Sequence, residues 1–372
     1  MSELNVTVKV LAFVALTIML CAVVLPRHNG LRRSDSDALA AEKPLLITYI
    51  YDSAEIAAED LSRLSQINFA FAGIKNGIAD EAPARNIAAF SRRMKEYPKV
   101  RTVLSIGGFG MDGFSAMAAT AEGRSKFAKS AVALMEKYSF RGIDIDWEYP
   151  GVSAGGIKSS KDDKENFTLL IKALRNELDA YNAANSSDCI LTAAVGAGAE
   201  QTALVDWKAV SPMLDQVLIM TYDMSGFTLD VLHHTALYET ENGLGGAQAL
   251  LNYEAAGVPR SKLILGGAMY ARCFEVAATV NAPGASGKTN GVKTQSYAAV
   301  AKLASEYPEN LRYDENAQAP YFIHDGKFYT FDNERSVKAK AEYVLKNGFG
   351  GLMFWEYLQG RALIKTAFDA FE

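Results

Sequence analysis

The segment FRGIDIDWEYPG, at residues 140–151, places three carboxylates on one apolar strand. Side chains two and four positions apart share one face of a strand, so Asp144, Asp146 and Glu148 point together while the apolar residues between them point to the other side. Neighbouring buried acids cannot all ionise cheaply, so at least one pKa should be raised, as a general acid requires. The alternative is a structural network in which arginines neutralise the acids.

Seven further apolar runs flank this strand and alternate with helical patterns. Strands that are apolar on both faces and separated by helices predict a parallel sheet covered by helices. Eight such units predict a closed barrel. A doubly wound open sheet is the second choice, because no GxGxxG follows the first strand. The predicted strands are residues 45–51, 67–74, 100–108, 142–148, 189–198, 214–223, 262–270 and 350–356.

The connection between the seventh and eighth strands is too long for a simple loop. Residues 275–330 contain a Gly/Asn/Ser-rich stretch, a helical pattern and two strand-like runs around Gly326. A structureless loop of that length is improbable in a compact domain. We therefore predict an α/β fold, a (β/α)8 TIM barrel over residues 44–372, with a small α+β insertion between strand 7 and strand 8 on the catalytic face.

Residues 1–43 have a different character. Residues 10–25 are uncharged and apolar, and an arginine-containing polar linker follows them. The apolar run is long for a signal-peptide core and just short of the roughly 17–25 residues of a membrane span. It predicts export to a secreted, periplasmic or cell-surface location, with the segment either cleaved as a signal peptide or retained as a membrane anchor. The arginines argue against simple export, because positive charge favours the cytoplasmic side.

Composition argues against several classes of function. A net charge of −5 gives no basic footprint for nucleic acid. The three cysteines form no CxxC pair and the four histidines form no HExxH motif. We therefore expect no metal and no cofactor, and we expect a monomer.

Several motifs in order resemble those of one enzyme family. FRGIDIDWEYPG resembles the DGxDxDxE signature of glycoside hydrolase family 18, the chitinase family. The resemblance covers nearly the whole chain after residue 44, and five motifs in order are far more specific than the acids alone. The other four matching motifs are LSIGGF (104–109), MTYDMSG (220–226) with the loop HHTALY (233–238) that follows it, KLILGGAMYAR (262–272) and GFGGLMFWE (348–356).

The resemblance implies retaining hydrolysis of β-1,4 bonds in chitin or N-acetylglucosamine oligosaccharides, in which the substrate's own acetamido oxygen attacks the anomeric carbon. By this resemblance Glu148 is the general acid and then the base. Asp146 orients the acetamido group and stabilises the developing positive charge. Asp144 shares a proton with Asp146 and helps it turn toward Glu148. Tyr222 donates its hydroxyl to the acetamido oxygen.

The same resemblance implies a set of substrate-binding residues. Trp355 stacks under the sugar at the −1 site, and Asp223 holds the sugar's polar edge. Ser105 lies beneath the acids, where Gly107 and Gly108 leave them room. Phe227 and Tyr238 either line neighbouring subsites or pack internally. The remaining expected cleft residues are Tyr49, Phe71, Phe109, Tyr149, Met220, Tyr270 and Arg272.

One signature position departs from the family pattern. Arg141 replaces the first acid, and we expect a different charge balance beneath Asp144. Phe109 stands where the family often has tryptophan, which predicts weaker stacking on the leaving-group side. Two other functions stay open: an endo-β-N-acetylglucosaminidase acting on N-glycans, and a chitinase-like lectin, although such lectins typically lose the glutamate that is intact here as Glu148. Endo or exo action depends on how loops and the insertion wall the cleft.

Overall fold

The computed structural model describes residues 43–225, 231–241, 243–277, 280–284 and 292–372. Residues 43–372 form one compact unit. The apolar segment predicted to direct export, and Phe227, lie outside the described residues. Within the described residues, no helix is both long and apolar enough to cross a membrane.

Eight parallel strands close into a barrel, which confirms the predicted fold. Each strand pairs with the next, and β8 pairs with β1 to complete the ring. The strands are β1 (Leu45–Tyr51), β2 (Gln66–Lys75), β3 (Arg101–Gly107), β4 (Gly142–Asp146), β5 (Ile190–Gly196), β6 (Gln216–Met220), β7 (Leu263–Ala268) and β8 (Gly351–Trp355). Because β4 and β6 end earlier than predicted, Glu148 and Tyr222 lie just beyond their strands.

Helices cover the outside of the barrel, and two apolar layers hold the structure together. The outer layer packs Ile143 and Ile145 of β4, and Trp147 just after it, against the helices. The inner layer fills the barrel with Ile47, Leu218, Ile264, Met353 and their neighbours. The α-helices around the barrel are Ala58–Leu61, Ile87–Met94, Phe114–Ala118, Ala121–Lys137, Asp163–Asn185, Ala199–Ala203, Trp207–Val210, Gly246–Ala255, Glu334–Asn347, Tyr357–Gly360 and Ala362–Phe371.

The helix Glu334–Asn347, which leads into β8, shows how local sequence sets an element. The Asn333 side chain accepts a hydrogen bond from the Ser336 backbone N–H at 3.1 Å, and the Ser336 hydroxyl accepts one from the Asn333 backbone N–H at 3.0 Å. This reciprocal capping box satisfies two N–H groups at the start of the helix. Gly348 ends the helix with a φ of 69°, a left-handed conformation that glycine adopts without strain.

A five-stranded antiparallel sheet is inserted between β7 and β8, which confirms the predicted α+β insertion. In spatial order its strands are Val292–Ser296, Tyr270–Glu275, Lys327–Thr330, Ala319–His324 and Leu311–Asp314, and the helix Tyr297–Glu306 accompanies them. The inserted sheet begins at Tyr270, which the sequence pattern assigns to the end of β7. The apolar run through residues 262–271 gives no signal of where the chain leaves one sheet for the other.

A buried ion pair links the inserted sheet to the barrel. Lys340 Nζ lies 2.6 Å from Asp332 Oδ2, and both side chains are fully buried. The same carboxylate oxygen accepts hydrogen bonds from the Thr235 hydroxyl at 2.9 Å and from the backbone N–H of Ala268, the last residue of β7, at 3.0 Å. Buried charges are tolerated when they are paired in this way, so the network holds the end of β7 where the insertion begins.

A short strand and four single turns of 3-10 helix complete the described secondary structure. A short strand, Ile78–Asp80, pairs antiparallel with the end of β2. Single turns of 3-10 helix occupy Ala154–Gly156, Ser211–Met213, Arg260–Lys262 and Pro308–Asn310.

Candidate active site

Asp144 is the deepest of the three acids on and just after β4. Its Oδ2 accepts hydrogen bonds from the Tyr49 and Ser105 hydroxyls at 2.8 Å each, and its Oδ1 accepts one from the Thr192 hydroxyl at 2.6 Å. Burial raises the pKa of Asp144, although these donors stabilise its carboxylate form and oppose the rise. Donors from β1, β3 and β5 thus hold Asp144 in one orientation, with Ser105 beneath the acids.

Asp146 lies above Asp144 at the end of β4. Burial raises its pKa well above the usual value, and the negative charges of Glu148 and then Asp144 raise it further. Its carboxyl is hydrogen-bonded to Glu148. The proton shared between Asp144 and Asp146 that the resemblance implies stays a prediction, and the carboxyl partner of Asp146 in this structure is Glu148. Asp144 accepts its hydrogen bonds from the hydroxyls of Tyr49, Ser105 and Thr192, and the Asn68 side chain also lowers its pKa.

One oxygen of Asp146 is left for a ligand. Asp146 Oδ1 is buried and has no hydrogen-bond partner within the described part of the chain. Buried acceptors are normally satisfied, so an orphaned oxygen beside a cleft marks a position that a substrate donor can fill.

Glu148 stands at the mouth of the barrel and has the raised pKa that the strand pattern predicts. Burial is the main cause and raises the pKa to about 7, with a further contribution from the negative charge of Asp223. Hydrogen bonds from Tyr149 and Asp146 oppose this rise. A carboxyl with a pKa near neutrality can hold a proton and then release it, which general acid–base catalysis requires.

These acids open into a cleft of about 650 Å³ over the carboxyl ends of the barrel strands. The structure brings together around it every expected catalytic residue except Asp144 and every expected substrate-binding residue other than Phe227 and Tyr238. Asp144, Ser105, Gly107 and Gly108 are not among the lining residues. The predicted residues that line it are Tyr49, Phe71, Phe109, Asp146, Glu148, Tyr149, Met220, Tyr222, Asp223, Tyr270, Arg272 and Trp355.

Sequence reasoning missed nine lining residues. They follow the ends of β4, β5 and β6 or lie in those strands: Ala154, Gly155, Ala194, Gly196, Ala197, Gly198, Gln201, Met224 and Leu244. The rule that loops after barrel strands wall the active site points to these segments. It does not say which side chains face inward. Tyr238 is not among the lining residues, and its ring packs edge-on against Tyr343.

Trp355, the last residue of β8, forms an aromatic floor. Its indole ring stacks on Phe71 with centroids 5.4 Å apart and lies 5.7 Å from Tyr49. In the ring of strands β8 lies four positions from β4 in either direction, so Trp355 and Glu148 stand on opposite sides of the barrel mouth. A flat apolar surface facing a proton donor suits a sugar ring with its glycosidic oxygen directed at Glu148.

The inserted sheet supplies the counter-charge for Asp223. Arg272 donates to both oxygens of this carboxylate, with Nε 2.6 Å from Oδ1. Burial raises the pKa of Asp223, but the hydrogen bonds from His234 and Arg272 outweigh burial and hold the pKa well below its usual range. Asp223 is therefore an ionised group near Glu148. Tyr222 beside it is partly buried, and desolvation raises its pKa and keeps the phenol a hydrogen-bond donor.

Gly107 and Gly108 make room for neighbours other than the acid side chains. A Cβ at Gly107 would lie 2.0 Å from the Asp146 carbonyl oxygen, and one at Gly108 would lie 2.8 Å from the Phe71 ring. Both glycines have positive φ, at 127° and 96°, which favours residues without a side chain. They let the end of β3 approach the backbone of β4 and leave space for the aromatic floor.

Arg141 does not act on the acids, so the expectation of a changed charge balance beneath Asp144 is wrong. Its guanidinium lies outside the barrel and binds Asp188, with Nη2 2.9 Å from Oδ2. The residue precedes β4, about 10 Å along the chain from Asp144 at the usual rise of a strand. Arg141 is absent from the groups that shift the pKa of Asp144. The substituted position is a surface ion pair.

Across the described ranges, no group of three or more histidine, cysteine, aspartate or glutamate side chains could hold a metal ion. Both cysteines in these ranges, Cys189 and Cys273, are buried with free thiols.

The barrel, the stacked acids and the tryptophan floor together define a glycoside-cleaving class of barrel enzyme. Comparison with known sequences makes this specific: residues 46–359 match the profile of glycosyl hydrolases family 18. The chain belongs to this family.

The relatives include chitinases from distant organisms. Chitinase A1 of Niallia circulans is 34% identical over 304 residues, which cover 74% of this chain and 43% of that protein. Chitotriosidase-1 of Mus musculus is 33% identical over 320 residues, 80% of this chain and 67% of the relative. The chain thus matches less than half the length of Chitinase A1.

A solved structure supports the same family relationship. A glycoside hydrolase family 18 N-acetylglucosaminidase from Paenibacillus barengoltzii superimposes with a TM-score of 0.82 at 32% identity. The alignment covers 88% of this chain and 99% of that structure.

Proposed function

We propose that this protein cleaves β-1,4 bonds between N-acetylglucosamine units of chitin or chito-oligosaccharides by substrate-assisted, retaining catalysis. The observation that carries the proposal is the division of labour among the three acids lining the described cleft. Glu148 has a pKa of about 7, Asp146 is hydrogen-bonded to it, and Asp223 is held by Arg272. Since Asp146 and Asp223 are both engaged, the acetamido group of the substrate is the better candidate for the nucleophile.

In the first step the acetamido oxygen attacks the anomeric carbon while the glycosidic C–O bond breaks. Glu148 gives its proton to the leaving oxygen. Asp146 Oδ1, which has no partner within the described residues, accepts the acetamido N–H and stabilises the positive charge of the oxazolinium ion. Tyr222 donates its hydroxyl to the acetamido oxygen and orients it for attack, and Trp355 supports the sugar ring.

In the second step water attacks the anomeric carbon of the oxazolinium ion. The carboxylate of Glu148 takes the water proton, and the bond to the acetamido oxygen breaks. Two inversions give a product of retained β configuration, and Glu148 regains the proton that it needs for the next cycle.

Hydrolysis of N-acetylglucosamine tetramers to hexamers by the wild type and by Glu148→Gln tests this proposal. We expect the wild type to cut and the variant to be slower by about 10²–10⁴-fold, the usual contribution of a general acid. Glu254→Gln is the matched control, because Glu254 is a glutamate whose recorded ion pair is with Arg260 outside the cleft. A wild type that binds the oligomers without cutting them would identify a lectin. Equal cutting by wild type and Glu148→Gln would show that another residue is the acid.

The endo-β-N-acetylglucosaminidase alternative concerns the substrate and not the chemistry. The same experiment distinguishes an endo-β-N-acetylglucosaminidase from a chitinase when a high-mannose N-glycan is added as a second substrate. Preferential release of that glycan, with chito-oligosaccharides left intact, would replace chitin as the proposed substrate. We favour chito-oligosaccharides because the aromatic floor formed by Trp355, Phe71 and Tyr49 suits a chain of flat sugar rings.

We also propose that the protein is exported, because an insoluble polymer must be met outside the cytoplasm. Expression of the full chain and N-terminal sequencing of the protein from the medium and from membranes tests this. Protein in the medium that lacks residues 10–25 indicates that this segment is removed as a signal peptide. Protein in the membrane fraction with an intact N-terminus indicates that the segment is retained as an anchor. Full-length protein in the cytoplasm alone would contradict export.

A further inference from the structure

Gln201 occupies a position in the cleft wall that the proposed mechanism does not use. It lies on the short helix Ala199–Ala203, which follows β5. Its side chain rests over Gly196 and Gly198: a Cβ at Gly196 would lie 2.6 Å from Gln201 Cγ, and one at Gly198 would lie 2.1 Å from Gln201 Oε1. Two glycines thus create the space in which this side chain lies against the backbone at the edge of the cleft.

The carboxamide of Gln201 faces a sugar-sized space with its hydrogen-bonding capacity available. The residue is half-buried and lines the cleft together with both glycines. None of the side-chain hydrogen bonds recorded among the described residues involves it. A carboxamide provides two donor hydrogens and an acceptor, which match the hydroxyl and N-acetyl groups of a sugar edge.

The topology shows which sugar Gln201 can reach. Trp355 on β8 and Glu148 after β4 stand on opposite sides of the mouth, so a sugar over Trp355 directs its scissile bond toward β4. The sugar beyond that bond must lie on the β4 side. There Phe109 follows β3 and Gln201 follows β5, one on either flank of Glu148. Phe109 is exposed and offers a flat ring, while Gln201 offers hydrogen bonds.

We propose that Gln201 binds the polar edge of the leaving-group sugar by hydrogen bonding, opposite the aromatic ring of Phe109. The inference rests on the proposed hydrolysis of N-acetylglucosamine chains and adds a residue that selects a sugar over other leaving groups. Tyr149 supports this placement, because its ring lies 3.2 Å from a Cβ built at Gly196, between the acid and Gln201.

The test compares two substrates that differ only in their leaving group. A chito-oligosaccharide places a sugar beside Gln201, whereas an aryl β-chitobioside places an aromatic alcohol there. Gln201→Met keeps the length of the side chain and removes its hydrogen bonds. We expect kcat/KM for the oligosaccharide to fall about 3- to 10-fold, mainly through KM, as for one or two lost hydrogen bonds. The value for the aryl substrate should stay within twofold of the wild type.

A second variant leaves Gln201 in place. Gly198→Ala introduces a Cβ where Gln201 Oε1 now lies and forces the carboxamide away, at a φ of −73° that alanine tolerates. It should reproduce the selective loss. Gln248→Met is the control, because Gln248 is exposed on another helix and its carboxamide donates to Asn252. Gln248→Met should leave kcat/KM unchanged for both substrates.

The outcomes separate this inference from the proposed function. Equal losses on both substrates, or full activity of Gln201→Met on the oligosaccharide, would overturn the role of Gln201 while leaving the hydrolysis intact. A wild type that cuts neither substrate would overturn both the hydrolysis and this inference.

Discussion

The hydroxyl of Tyr149 should set the pH at which the enzyme loses activity. Tyr149 donates to Glu148 and lowers its pKa, against the larger effect of burial. Tyr149→Phe removes that donor and keeps the ring. A hydrogen bond to a charged group contributes about 1.5 kcal/mol. At about 1.4 kcal/mol for each pKa unit, the pKa of Glu148 should rise from about 7 to about 8. Since protonated Glu148 is the active form, the variant should stay active to higher pH.

The assay is kcat/KM for an aryl β-chitobioside across the alkaline range, because this parameter reports ionisations of the free enzyme. For the wild type, the alkaline decrease in kcat/KM should have its midpoint near pH 7. For Tyr149→Phe the midpoint should lie about one pH unit higher, whatever the change in maximum rate. Tyr238→Phe, outside the lining of the cleft, is the control and should follow the wild type. An alkaline limb that is unmoved, or moved to lower pH, would refute the reasoning.

Two further predictions concern residues away from the substrate. Lys340→Met leaves Asp332 buried without its counter-charge and should lower the free energy of unfolding by about 3–5 kcal/mol in denaturant titrations. Lys338→Met, on the exposed face of the same helix, should change it by less than about 0.5 kcal/mol; equal effects would contradict the account. Arg141→Ala should leave the pH–rate profile unchanged, because Arg141 binds outside the barrel. A shifted pH–rate profile would show that Arg141 does affect the pKa values of the acids.

The barrel was predictable because its strands are apolar on both faces and long enough to be identified as strands from the sequence. The inserted sheet was predictable only in part. Its strands beside Gly326 show β-rich runs, whereas Leu311–Asp314 and Val292–Ser296 are short and contain charged or polar residues that resemble loop sequence. Tyr270–Glu275 follows β7 after one residue, so only tertiary pairing separates the two strands.

The acids of the site could be predicted from the sequence because they alternate along one short segment. Contacts between segments that are distant in the sequence could not be predicted. Arg272 and Asp223 are 49 residues apart, and nothing in their surroundings shows that they pair. Gln201 lies in a short helix, and its side chain occupies space left free by two glycines that precede it, Gly196 and Gly198. The motif around Arg141 misled for a related reason: a signature position does not reveal that its side chain points away from the cleft.

The central claim is that the substrate's acetamido oxygen is the nucleophile. A series of aryl glycosides whose N-acetyl methyl group carries none, one, two or three fluorine atoms tests it most directly. Each fluorine withdraws electrons from the carbonyl oxygen and changes the size of the group little. The account predicts that kcat/KM falls steeply and progressively with each fluorine added. A series in which kcat/KM is independent of fluorine number would contradict it, because the acetamido oxygen would then take no part in bond formation.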